Sequence, residues 1–351
     1  MLSRSKVLSA ALLAGAALAV MQPQSAEAQL TVKLGGYTTF RAATFDSDAP
    51  GATSREFQNE VEIHVAADGK ADNGLLYGAR IELENEGAGG GIVTDEASVY
   101  LGGTWGRFEF GDQDGAADQL FVFAPTVGNG QIDEDWFDFA GPDIDTDDLL
   151  MPTDTSDSTK VTYMTPEFGG LRAGVSYAPQ FDSEGQNVVA LDPTDPDTDN
   201  LYKDLIEVGI GYEREVAGFS LEIGAGYVRG DANDGTEAED FDAWGVGAQV
   251  GYQGFKIGGA YNDNGDSLIE TDDPDARSWN VGVSYETDAW GVAAQYQKVD
   301  LTGRGIDIYA VGAAYQVASG LTIGPDLIFF DDDDPEVGDG YVAVIAVNLE
   351  F

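Results

Sequence analysis

Cysteine is absent from the 351 residues, and histidine occurs once, as His64. Without a thiol there is no disulfide framework, no thiolate nucleophile and no thiolate-bound zinc. One imidazole leaves nucleophilic and acid–base catalysis almost nothing to work with, so we expect no enzyme. Basic residues are scarce: 17 Lys and Arg stand against 63 Asp and Glu, a net charge of −46. A nucleic-acid partner would be repelled, and the charge points instead to cations or a saline medium. With so many carboxylates, pairs at glycosidase spacing are unavoidable and carry no signal. Beyond the first thirty residues there is no run of eighteen apolar residues, so no membrane-spanning helix is encoded there.

What is present begins with a processing signal. Arg4 and Lys6 precede an apolar run from Val7 to Met21, and Ala26-Glu-Ala28 has the small-residue pattern of a cleavage site. We expect residues 1–28 to be a signal peptide and 29–351 to be the mature domain. The other end alternates: Tyr341, Ala343, Ile345, Val347, Leu349 and Phe351 share one face of a strand that runs to the last residue. A terminal aromatic on such a strand resembles the C-terminal signature of outer-membrane barrels.

Between the ends, period-2 alternation predicts strands near 31–45, 55–67, 75–86, 93–102, 105–112, 158–165, 170–179, 204–214, 217–229, 241–252, 254–263, 277–287, 290–300, 305–317, 320–330 and 340–351. Sixteen is an even number, as a closed single-chain bacterial barrel requires. The connections alternate in length. Short ones are expected at 68–74, 102–104, 166–169, 215–216, 253–254, 288–289 and 318–320. Long ones are expected at 46–54, 87–92, 113–157, 180–203, 230–240, 264–276, 301–304 and 331–339. Short turns on one side and long loops on the other are the asymmetry of transmembrane barrels. Apolar and aromatic residues also recur six apart on one face, as in Leu171/Tyr177, Leu221/Tyr227, Phe255/Tyr261, Trp290/Tyr296, Ile206/Tyr212, Val246/Tyr252, Trp279/Tyr285 and Tyr309/Tyr315. Six residues span about 20 Å, somewhat short of the ~25 Å apolar band, which flanking residues must complete.

The connection 113–157 is far longer than ordinary loops. It carries Leu120, Phe121, Phe123, Trp136, Phe137 and Phe139, and its charges are acidic. Phe108-Glu-Phe-Gly-Asp-Gln-Asp-Gly-Ala-Ala-Asp118 resembles the entry into the constriction loop of general diffusion porins of purple and other alphaproteobacteria. Val65-Ala-Ala-Asp-Gly-Lys-Ala-Asp-Asn-Gly74 and Gly78-Ala-Arg-Ile-Glu-Leu-Glu84 are similar to that family's early strands. The resemblance implies an all-β fold, a sixteen-stranded antiparallel transmembrane barrel with the third outer loop folded into the pore, assembled as a homotrimer. It also implies an outer-membrane channel of a Gram-negative bacterium for passive diffusion of small hydrophilic solutes and ions. In that family an acidic loop faces basic residues across the eyelet.

We therefore expect Asp112, Asp114, Asp118, Asp133, Glu134 and Asp135 on the acidic side of the constriction. Strand parity puts Arg41, Arg80, Glu60 and Glu62 on the opposite wall, places His64 with the glutamates, and turns Arg55 outward. The basic side is thin, so the expected preference is for cations. Asp143, Asp145, Asp147, Asp231 and Asn233 offer hard oxygens suited to Ca2+, without the full spacing of a dedicated loop. No cofactor is otherwise required. The expected partners are membrane lipid, lipopolysaccharide, further copies of the chain, small solutes and cations. A substrate-selective channel and an acidic calcium-bound structural protein of the outer membrane stay open as alternatives.

Overall fold

The computed structural model describes residues 30–47, 54–86, 91–133, 136–140, 146, 148–181, 183–185, 201–233, 239–265, 267, 276–334 and 337–351. The expected signal peptide lies outside them. Sixteen strands follow in chain order: β1 (Thr31–Ser47), β2 (Arg55–Lys70), β3 (Leu76–Glu86), β4 (Gly91–Gly103), β5 (Gly106–Asp112), β6 (Thr159–Met164), β7 (Leu171–Gln180), β8 (Tyr202–Val216), β9 (Phe219–Ala232), β10 (Phe241–Tyr252), β11 (Phe255–Gly265), β12 (Ala276–Glu286), β13 (Trp290–Leu301), β14 (Arg304–Ala318), β15 (Leu321–Asp332) and β16 (Asp339–Glu350). Each pairs antiparallel with its neighbours in sequence, and β16 closes on β1. Closure leaves no open edge, which a bilayer would penalise by several kcal/mol per unpaired backbone group. Phe351 extends the seam: its N–H donates to Gly36 O at 3.0 Å and its carbonyl accepts from Gly36 N at 3.1 Å.

The expected strands and observed strands agree to within a few residues. One connection differs in kind. The link expected to be long at Leu301–Arg304 is the two-residue turn Thr302-Gly303, with Gly303 at φ 84°. Glycine takes that left-handed conformation without the clash a Cβ would bring, and the hairpin closes tightly.

The two faces of the wall differ as alternation requires. On β10, Trp244, Val246, Val250 and Tyr252 are exposed, whereas Phe241, Ala243, Gly245 and Gly247 are buried. Outward aromatics form two tiers. Near the short turns, Phe219 meets Tyr252 at 4.4 Å, Phe255 meets Tyr285 at 4.3 Å, and Tyr285 meets Trp290 at 5.5 Å. Toward the other rim, Trp244 meets Tyr261 at 5.6 Å, Trp279 meets Tyr296 at 4.9 Å, and Tyr296 meets Tyr309 at 4.9 Å. Amphipathic rings at two levels with Val, Ile and Ala between them suit an apolar band flanked by two water interfaces.

Candidate functional site

The inner face divides into two unlike sectors. From β8 to β13 it carries mainly small or neutral residues: Gly209, Gly224, Gly226, Gly245, Gly247, Ala260, Asn262, Ser278, Asn280, Gln295 and Gln297. From β1 to β4 it carries charge: Arg41, Glu60, Glu62, His64, Arg80, Glu82, Glu84 and Glu96.

The segment between β5 and β6 hydrogen-bonds to residues of the neutral sector. Its backbone meets successive inner side chains in order around the wall. Ala116 N donates to Ser176 Oγ at 2.8 Å on β7, and Ala117 N to Glu207 at 3.2 Å on β8. Phe123 O accepts from Gln249 at 2.8 Å on β10, and Ala124 N donates to Asn280 Oδ1 at 2.8 Å on β12. Gln295 on β13 donates to Pro125 O at 2.8 Å and accepts from Ile132 N at 3.1 Å. Gln131 then reaches Asp326 on β15 at 3.0 Å, and Gln58 on β2 reaches Asp138 at 2.6 Å. The chain returns along a second row. Gln297 donates to Thr146 O at 2.6 Å, Asn262 to Leu149 O at 3.1 Å, and Thr153 N to Asn264 at 3.1 Å. Satisfying so many backbone groups with side chains is what makes an irregular segment tolerable away from bulk water.

Two further features hold it. Small residues let the segment's backbone lie against the wall: a Cβ at Gly247 would fall 1.6 Å from Val122 O, and one at Gly209 1.7 Å from Ala116 O. Its apolar residues also have a purpose. Ile132, Trp136, Leu149 and Leu150 pack with inward Ile306, Ile308, Ile328, Phe330, Val342 and Val344 in one buried cluster, with Trp136 5.5 Å from Phe330.

Glu207 ties the two ends together. Fully buried, it accepts from Ala117 N at 3.2 Å, from Thr155 N at 3.1 Å and from Thr155 Oγ1. Nearby acids crowd it. Burial, then repulsion from Asp154 and Asp114, holds the Asp118 carboxyl well above the usual range. Burial and Glu207 push Asp154 up to about 7, and burial with Asp95, Asp114 and Glu96 pushes Asp157 up to about 8.

Of the expected acidic side, Asp112 is buried and accepts from Thr159 Oγ1 and from Gly185 N at 3.0 Å, a structural clasp. Asp114 converges with Glu96 and Asp157, Asp118 faces Asp154, and Asp133 is exposed. Glu134 and Asp135 lie outside the described residues. On the charged sector, Arg41 is buried, pairs with Glu60, and donates to Gln58 at 3.3 Å. Arg80 pairs with Glu82 and lies 4.0 Å from Glu96. His64 is 2.5 Å from Glu62 and 3.6 Å from Glu82. Asp143, Asp145 and Asp147 lie outside the described residues. Among the described residues Asp231 belongs to neither group of converging carboxylates and imidazole, and Asn233 is buried and donates to Gln180 at 3.4 Å. Sequence reasoning missed Glu207 and the amide-bearing row of β10 to β13. For the amide row the available signal was neutrality at inward positions in so acidic a chain; Glu207, one acid among 63, carried none.

The fold recurs in solved structures. An anion-selective porin from Comamonas acidovorans is 17% identical, with a TM-score of 0.65 over 92% of this chain and 100% of that one. A loop-deletion mutant of the outer-membrane protein OmpT of Vibrio cholerae is 16% identical, with a TM-score of 0.64 over 92% and 99%. A double mutant of Rhodopseudomonas blastica porin is 18% identical, with a TM-score of 0.63 over 92% and 100%. No curated protein sequence matches the chain. A model of the Gram-negative porin family matches residues 9–334, nearly the whole length. The chain therefore belongs to the Gram-negative porin family.

Proposed function

We propose that this porin is a cation-preferring diffusion channel for small hydrophilic solutes, with the 113–158 segment lying in the channel and narrowing it. The segment's contacts with inward side chains from β7 to β15 and back to β11 support that placement. What is left to line the open passage is then the charged sector of β1 to β4 and the acidic flank of the segment. The carrying observation is that the bases there are already engaged by acids: Arg41 by Glu60, and Arg80 by Glu82. Glu96, Asp114 and Asp157 gather at the same wall without an equal number of bases. An acid-dominated lining raises cation and lowers anion concentration in the passage. An anion-selective porin has a similar fold, so the reading of selectivity rests on side chains and not on the barrel. No cofactor enters this reading. Residence in the outer membrane after removal of residues 1–28, and assembly as a homotrimer, belong to the same reading by resemblance. The test is the reversal potential across a planar bilayer under a KCl gradient. A sign corresponding to K+ preference supports the proposal, and Cl− preference contradicts it.

A further inference from the structure

The single histidine of the chain stands where two strands of the charged sector bring carboxylates together. His64 and Glu62 lie two apart on β2 and so share its inner face, and His64 stands opposite Glu82 of β3 in register. The β3–β4 ladder is irregular at this point. Ile81 pairs with Ala97 and Leu83 with Thr94, so Glu82 alone faces the two residues Asp95 and Glu96. Bulges of this kind bend a strand and re-aim side chains, and they cluster beside functional sites.

We propose that Glu62, His64 and Glu82 form a binding site for a divalent transition-metal ion, of the zinc or copper class, on the inner wall of the barrel. Their donor atoms all lie within 4.8 Å of one another. His64 Nε2 is 2.5 Å from Glu62 Oε1 and 3.6 Å from Glu82 Oε2. Ligands at about 2.0–2.2 Å from a shared zinc ion stand roughly 3–3.5 Å apart, so small side-chain adjustments place all three on one ion. The burial of Glu82 is the second observation. It is 6% exposed, and its Oε1 accepts no hydrogen bond, its charge being met by the ion pair with Arg80. That pair fixes one oxygen and leaves Oε2 directed to His64, the kind of outer contact that orients a ligating carboxylate. Glu62 and Glu82 also face each other within hydrogen-bond reach, and a dication between them would relieve the close contact of two carboxyl groups. Imidazole with carboxylate suits zinc, copper or nickel, whereas calcium and magnesium prefer oxygen-only sets. The remaining coordination positions face the interior and would take water.

The metal site stands independently of the channel reading, while obstruction of current by the bound ion rests on it. The full-length protein, refolded in detergent, is dialysed against Zn2+ and the bound metal is counted. The same protein is then titrated with Zn2+ in planar bilayers, each variant being referred to its own metal-free conductance. One zinc per chain is expected, with a fall in conductance that EDTA reverses, and with no such effect of Mg2+. His64→Gln, and independently Glu62→Gln, should raise the half-saturating Zn2+ concentration by at least about tenfold. Absence of bound zinc, or equal binding by wild type and both variants, overturns the site. Zinc bound at this site without a change in current overturns the obstruction alone. A protein that binds zinc but never conducts refutes the channel reading and leaves the site standing.

Discussion

Replacing Glu207 should release both ends of the 113–158 segment together. Its carboxylate accepts from Ala117 N, Thr155 N and Thr155 Oγ1, all without exposure to solvent. Hydrogen bonds to a charged acceptor contribute about 1.5–3 kcal/mol each, and a buried donor left unmatched costs about 1–3 kcal/mol. Alanine removes all three acceptor contacts, a gross loss of roughly 4.5–9 kcal/mol on that scale. Relief of repulsion between Glu207 and the acids Asp118 and Asp154 offsets part of it. A net loss of about 3 kcal/mol corresponds to roughly a hundredfold change in a local opening equilibrium. Glutamine keeps one oxygen but turns an N–H2 toward a donor, so it should fall between wild type and alanine. The assay is amide hydrogen exchange in detergent micelles, read at Ala117 and Thr155, with strand amides as the internal reference. Protection at both should drop together in Glu207→Ala while β12 and β13 keep theirs. Unchanged exchange at Ala117 and Thr155 would refute the clasp.

Trp136→Ala should loosen the same segment by about 3–5 kcal/mol, since the indole is fully buried against Phe330 and its cluster; cleavage by a Glu-specific protease within 113–158 should accelerate. Trp136→Phe should cost less, because the indole N–H has no hydrogen-bond partner to lose. Gly247→Val should expel the segment from β10, since even a Cβ there meets Val122 O at 1.6 Å, whereas Gly91→Ala, with open space around it, should leave proteolysis unchanged. Asp154 and Asp157 hold their protons more tightly in the docked segment than in a released one. Their contribution to docking is therefore complete below about pH 4 and is lost as pH rises through about 7 and 8. Protease sensitivity and cation preference should both increase from pH 6 to pH 9, the second because two more charges appear, and Asp154→Asn with Asp157→Asn should flatten both curves.

The barrel was legible because its information is local. Alternation along each strand, as in Trp244, Val246 and Tyr252, reports which residues face lipid without knowledge of any partner. Loop length was equally local, except at Thr302-Gly303, where the two-residue turn between Leu301 and Arg304 read as a longer connection. The long segment announced itself through Trp136 and Phe139, which a solvated hairpin would not carry. Its partners did not. Asn280 lies 156 residues from Ala124 and Gln295 lies 170 from Pro125, and no period in the sequence links these partners. Parity gave the faces of Arg41, Arg80 and His64 and offered Glu60 or Glu62 as partners; Arg41 takes Glu60, whereas Arg80 takes Glu82, because pairing depends on strand register. The pairing of Glu82 with His64 follows from the β2–β3 register and the bulge beside it.

Liposome swelling with neutral solutes of graded size reads a water-filled passage open to passive diffusion without reference to charge. The protein reconstituted in vesicles should admit small sugars at rates that fall steadily with solute size and rise linearly with concentration. No swelling with any solute, or flux that saturates for one solute alone, would contradict it.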